Sequence, residues 1–158
     1  MKTFVSATAF AAFVAIAAGS AMADSSKSST GDVRLTGTMP AICEIDVDTK
    51  NTAIDMQEGA KKQVVAEITE TCNDHEGYTI SFTSENEGKI VHGESGQGIG
   101  YTVSYDSASN SALDKSLIVN RAKEGYGVEH DLIVDMSGSN DRVAGTYRDT
   151  ITIQIAAK

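Results

Sequence analysis

The chain has 158 residues and a formal charge of −9 at pH 7, from 22 Asp and Glu against 13 Lys and Arg. That acidity argues against a nucleic-acid partner, whose phosphates need Lys and Arg, and against an anionic lipid surface. The length suits one domain with a buried core, and the lack of Trp disfavours a carbohydrate-stacking platform.

Residues 1–23 read as a secretory signal peptide. Lys2 is their only charge, residues 4–18 are apolar apart from Ser6 and Thr8, and Ala21-Met22-Ala23 is a small-x-small cleavage site. The apolar core is short for a bilayer span, so the exported chain is expected to begin at Asp24. The polar run DSSKSST follows and has no apolar side chain to pack. Then comes GDVRLTGTMPAIC, residues 31–43. Val33, Leu35, Gly37 and Met39 alternate with Arg34, Thr36 and Thr38, the period of a strand with one apolar face. Pro40 ends it, because proline has no N–H to give to a ladder. Such a strand either joins the molecule's own sheet or is lent to a neighbour, and the function turns on which.

Cys43 and Cys72 are the only cysteines. In an exported chain a lone pair is expected to bridge. Closing that loop contributes about 3–4 kcal/mol in the chain-entropy model. Zinc would need ligands beyond these two and His75.

The rest reads as all-β. Cys43, Ile45 and Val47 alternate with acids. Val64, Ala66, Ile68 and Cys72 share a parity, as do Tyr78, Ile80 and Phe82. The same holds for Ile99, Tyr101, Val103 and Tyr105, for Val128, His130, Leu132, Val134 and Met136, and for Tyr147, Ile151, Ile153 and Ile155. The clusters EGAKK, NDHEG, SENEGK, SYDSASNS and MSGSND separate these runs. Residues 85–97 suggest a surface hairpin or loop. Short strands at this spacing, with no helical stripe, indicate a β-sandwich.

No chemistry stands out. GESGQGIG lacks the Gly-Lys-Ser/Thr ending of a phosphate-binding loop and opens a strand where such a loop opens a helix. His75, His92 and His130 are scattered, with His130 on the apolar parity of its strand and Asp74-His75-Glu76 in a turn. No carboxylate spacing singles out an acid–base pair. No enzyme, cofactor or metal site is expected.

Two stretches resemble the chaperone–usher family of pilus (fimbrial) subunits. One is V-x-L-x-G-x-M followed by Pro40 and Cys43. The other is AGTYRDTITIQIAAK, in which a Gly-x-Tyr turn feeds alternating apolar residues, an ending similar also to the archaic, spore-coat-U-like branch. It departs from many members at Ala157, where they carry an aromatic residue. The resemblance implies an immunoglobulin-like β-sandwich over 42–158 that lacks its last strand, and an N-terminal extension over 24–41. Its donor strand, with Val33, Leu35, Gly37 and Met39, would fill the acceptor groove of a neighbouring subunit by donor-strand exchange. Tyr147, Ile151, Ile153 and Ile155 would build that groove. The three isoleucines share one parity, and only three residues follow Ile155, so the 33–39 strand alone has the length and alternation to cover the edge. The partners implied are other pilus subunits, a periplasmic chaperone, an outer-membrane usher and a host or surface receptor. The setting is the cell surface, with a role in adhesion or biofilm formation. The alternative is a self-complemented secreted sandwich, a monomeric coat or binding protein whose strand folds back into its own groove.

Overall fold

The computed structural model describes residues 29–158. The predicted signal peptide and the start of the polar tether lie outside the described residues. The chain divides into two units at Gly37/Thr38. In the first, residues 29–37 form no strand, and Val33 and Leu35 are 86% and 90% exposed. An extended segment without a partner has no ladder to join.

The second unit is all-β. Its strands are β1 (Cys43–Thr49), β2 (Gly59–Cys72), β3 (Tyr78–Ser84), β4 (Lys89–His92), β5 (Gly98–Gly100), β6 (Thr102–Tyr105), β7 (Ala108–Ala112), β8 (Leu117–Arg121), β9 (Gly125–Ser137), β10 (Tyr147–Arg148) and β11 (Ile151–Ala157). They form a five-stranded sheet in the order β1-β2-β9-β6-β7, a three-stranded sheet β11-β3-β8, and a small sheet β10-β4-β5. Every pairing is antiparallel.

Period-2 alternation makes the two main sheets face each other. Ala66, Ile68, Val103, Leu132 and Val134 point inward from the larger sheet, and Tyr78, Ile80, Phe82 and Val119 from the smaller, into one core. Phe82 and Tyr105 meet across the layers with ring centroids 4.7 Å apart, within the range where aromatic pairs attract. An immunoglobulin constant domain has sheets A-B-E-D and C-F-G. Here β1, β2, β9 and β6 hold the A, B, E and D places, and β3 and β11 those of C and F. Beside β11, on the side away from β3, the place of G is taken by no strand among the described residues.

Several expectations from sequence need correction. The run from Ile99 to Tyr105 is not one strand. It breaks at Tyr101, whose N–H bonds to Gly88 O at 3.0 Å, and passes from the small sheet into the large one. Parity survives the crossing, so all four apolar residues are still buried. SYDSASNS is no mere spacer. Asp106 takes a positive φ of 49° in a tight turn, which Asp tolerates, and the chain returns as β7. β8, with Leu117 and Val119, went unforeseen. EGAKK lies largely inside β2, whose register shifts between Ala60 and Gln63 and again between Val64 and Ala66. The second shift leaves Val65 packed against the core. The tract from 85 to 97, expected as a surface hairpin or loop, holds the turn after β3, all of β4 and the turn into β5, with His92 buried.

Candidate functional site

The distinctive feature of the second unit is a cleft between the edges of its two main sheets. Among the described residues β1 pairs only with β2, and β11 only with β3. The backbone N–H of Lys158 bonds to Gly77 O, and that of Asn73 to Ile42 O, so the end of β11 and the start of β1 lie at one pole. The two strands therefore run in opposite directions along the cleft. It holds about 700 Å³ and is lined by apolar side chains, among them Val47, Ile54, Met56, Val65, Leu132, Val134, Ile151 and Ile153. That volume suits a small ligand. Two flanking strand edges with free backbone groups distinguish it from a small-molecule pocket, because they form the template onto which a further strand adds.

The groove residues expected from sequence are largely brought together. Tyr147, Ile151 and Ile153 line the cleft. Ile155 does not. It is half-buried against the core beyond the cleft lining. What sequence reasoning missed was the opposite wall: Val47 from β1, and Ile54 and Met56 from the β1–β2 connection. Their one signal was the spacing of two in AIDM, inside a stretch otherwise free of pattern. Gln63 holds that connection, its Nε2 donating to Asn51 O at 2.8 Å and Ala53 O at 2.9 Å.

The GTYRDT segment sets the mouth. A Cβ at Gly145, whose φ is +147°, would collide with the His92 imidazole, and that ring lies tilted against Tyr147 with centroids 5.0 Å apart. The Tyr147 hydroxyl lies 2.9 Å from Val143 O and 2.7 Å from Gln97 Oε1. A tyrosine bonding back to the chain a few residues upstream, at the start of this strand, is a hallmark of immunoglobulin-type corners. Asp149 accepts from Ser84 Oγ at 2.7 Å, Asn86 N at 3.0 Å, Asn86 Nδ2 at 3.1 Å and the Tyr101 hydroxyl at 2.5 Å. It pins the entry of β11 to the exit of β3. Burial, and then this bond to Asp149, push the Tyr101 hydroxyl well above its ordinary pKa.

Between the layers lies one charged cluster. Glu70 is fully buried and accepts from Arg121 Nε at 2.9 Å, Arg121 Nη2 at 2.8 Å, the Tyr78 hydroxyl at 2.8 Å and the Tyr105 hydroxyl. Burial alone would raise its pKa. The hydrogen bonds from Arg121, Tyr105 and Tyr78, with the guanidinium charge, outweigh that and hold it below the usual value. Tyr78 is pushed up to about 12, by burial first and then by Glu70. Arg121 also reaches Asp106 at 2.6 Å, and His130 Nδ1 stands 3.7 Å from Asp106. Every strong donor and acceptor here faces another, as in a structural clasp.

Cys43 and Cys72 are bonded and are the first pair of the β1–β2 register. Asn73 sits beside them. Its Oδ1 accepts from Ile42 N at 2.7 Å and its Nδ2 donates to Pro40 O at 3.1 Å. Met39 is 78% exposed, and a Cβ at Gly37 would meet nothing within 4 Å. In GESGQGIG the amides of Ser95, Gly96 and Gln97 are taken by His92 Nδ1, His92 O and Ser95 Oγ, which leaves no cradle for phosphate. Among the described residues no cluster of three His, Cys, Asp or Glu is placed to hold a metal, and no helix is long and apolar enough to cross a membrane.

A solved pilus subunit resembles this chain. It is the Escherichia coli Hda pilus minor tip subunit HdaB, with a TM-score of 0.39 and 11% identity, over 71% of this chain and 79% of that one. No family model matches the chain, and no curated protein does. At so low a TM-score the cleft has to be understood from its own geometry.

Proposed function

We propose that this protein is a structural subunit of a bacterial surface pilus, and that it polymerises by lending residues 33–39 to the cleft of the next copy. The observation that carries this is the apolar cleft between two unpaired strand edges, at the place where an immunoglobulin sandwich has its last strand. Val33, Leu35 and Met39 are the counterpart, three exposed apolar side chains on one parity. Burying each is worth roughly 1.5–3 kcal/mol, an upper bound before ordering costs. The backbone ladder adds to this and sets the register.

On this account the route runs through the periplasm, where a chaperone fills the cleft until an outer-membrane usher exchanges it for the neighbouring strand. An empty cleft with two bare edges would otherwise aggregate. Adhesion or biofilm formation is the role such a fibre would serve.

The test is a cysteine cross-link between positions 35 and 153, in a background lacking Cys43 and Cys72. Strand exchange gives a ladder of covalent multimers on a denaturing gel. A strand returning to its own cleft gives a cross-linked monomer, and the chain is then a self-complemented secreted sandwich. If neither product forms, from this pair or from positions 37 and 153, strand complementation is wrong in both versions. Size-exclusion chromatography of residues 24–158, with and without 24–39, gives a second measure.

A further inference from the structure

The cleft is apolar inside but strongly acidic along one lip. Glu44, Asp46 and Asp48 occupy alternate positions of β1 and are exposed, while Cys43 and Ile45 pack against the core. Three carboxylates thus line the outer face of an edge strand. Asp48 is already answered by Lys50, whose Nζ lies 2.5 Å away and also approaches Glu67 at 3.9 Å. Glu44 and Asp46 have no cationic partner among the described residues.

The segment proposed to enter the cleft carries one cation at a fixed place. Val33, Leu35, Gly37 and Met39 must face inward, so Asp32, Arg34, Thr36 and Thr38 face outward. The outward parity is the one that meets the acidic lip. Resting on the strand-complementation account, we propose that Arg34 is a specificity determinant of this site. It pairs with Glu44 and Asp46 of the receiving copy and thereby fixes the direction and register of the inserted strand.

The charges and the fold agree on direction. A strand in the vacant position is expected to run antiparallel to β11, as every pair in this sandwich does, and hence the same way as β1. Placing Arg34 level with Glu44 then sets Val33 beside Cys43, Leu35 beside Ile45, Gly37 beside Val47 and Met39 beside Thr49. Seven residues align with the seven of β1. Met39 reaches the deep end of the cleft, where Val47, Thr49, Ile54 and Met56 converge. Asp32 falls level with Ile42, outside the acidic run. A shift of two residues puts Asp32 against Glu44, and like charges side by side disfavour that register. The reverse direction, with Arg34 still at Glu44, carries Thr36 to Met39 out past the end of β1. Neighbouring strands lie about 4.8 Å apart, within reach of a guanidinium.

The experiment uses the exported chain, residues 24–158, with assembly rate followed by light scattering at low ionic strength. An exposed ion pair is ordinarily a few-fold effect. Arg34→Glu, which sets a carboxylate against two others, is expected to slow assembly about ten-fold, and the deficit should shrink toward two-fold in 1 M salt. Glu44→Lys with Asp46→Lys should slow it likewise, and combining all three substitutions in one chain should restore it. Asp48→Lys in the Arg34→Glu background should not. Circular dichroism melts of each variant separate lost folding from lost assembly. Unchanged assembly by folded Arg34→Glu, or no rescue by the Glu44 and Asp46 swap, overturns the assignment while leaving strand complementation standing. Rescue by Asp48→Lys overturns the proposed register. If the wild-type chain does not assemble, complementation itself fails and the pairing fails with it.

Discussion

Removing Arg121 tests how the two sheets are fastened. Arg121 sits at the end of β8, only 17% exposed, and supplies two of the four hydrogen bonds that Glu70 receives. Arg121→Leu keeps the aliphatic bulk but strands a carboxylate that is fully buried. Breaking a buried ion pair from one side costs about 3–5 kcal/mol. The lower half of that range is expected here, because the Tyr78 and Tyr105 hydroxyls remain as donors. In a domain of this size such a loss lowers the melting temperature by on the order of 10 °C. The pH dependence has a definite sign. In the wild type Glu70 titrates below its unfolded value, so its contribution is present above the unfolded pKa and is lost as pH falls through the folded one. In Arg121→Leu burial is no longer outweighed, the folded pKa rises above the unfolded one, and acid relieves the stranded charge. The gap between the two proteins should thus be widest near neutrality and narrow toward pH 4. Urea titrations at pH 7 and pH 4, with the disulfide intact, measure both. A loss under 1 kcal/mol at pH 7, or a gap that widens in acid, would refute the reasoning.

Replacing Cys43 and Cys72 together by serine should cost about 3–4 kcal/mol, read from the midpoint of urea unfolding against the oxidised wild type. Gly37→Leu should leave a folded body but block polymer formation, since overfilling a close-packed groove costs about 1–3 kcal/mol. Normal fibres from that variant on electron micrographs would exclude the proposed insertion. Asp149→Ala removes the shared acceptor of Ser84, Asn86 and Tyr101. It should cost about 1–3 kcal/mol and speed amide exchange at the start of β11, and protection equal to wild type there would show that the anchor is unnecessary.

Much of this architecture was legible in period-2 alternation. Strands such as β3, β9 and β11 announce themselves because one face is buried and the other wet. β7 was not legible, because ASNSA is an edge strand of small polar residues held by its hairpin and not by burial. The break at Tyr101 was hidden for the opposite reason. Both sheets receive the same parity, so the sequence carries no mark where the chain changes sheets. In the cleft, the isoleucines of β11 could be foreseen. The wall formed by Ile54 and Met56 could not, because a connection folded inward by Gln63 leaves no periodic trace. Glu70 falls on the buried parity of β2, where a carboxylate looks misplaced until Arg121, Tyr78 and Tyr105 arrive from other strands.

The fastening at Cys43 has a mechanical consequence. A pull on Pro40 away from the body would reach β1 at its first residue. An edge strand loaded at its end peels, one ladder bond after another, and resists far less than a strand sheared along its length. Cys43 is the first rung of the β1–β2 register, and that rung is covalent. Tension is therefore handed at once to β2, the 14-residue strand held on its other side by β9. Asn73, bonded to both Pro40 and Ile42, takes up the slack just ahead of it. A chain of such subunits under drag would bear its load through the middle of the larger sheet, and reduction of this one bond would turn a tether into a zipper.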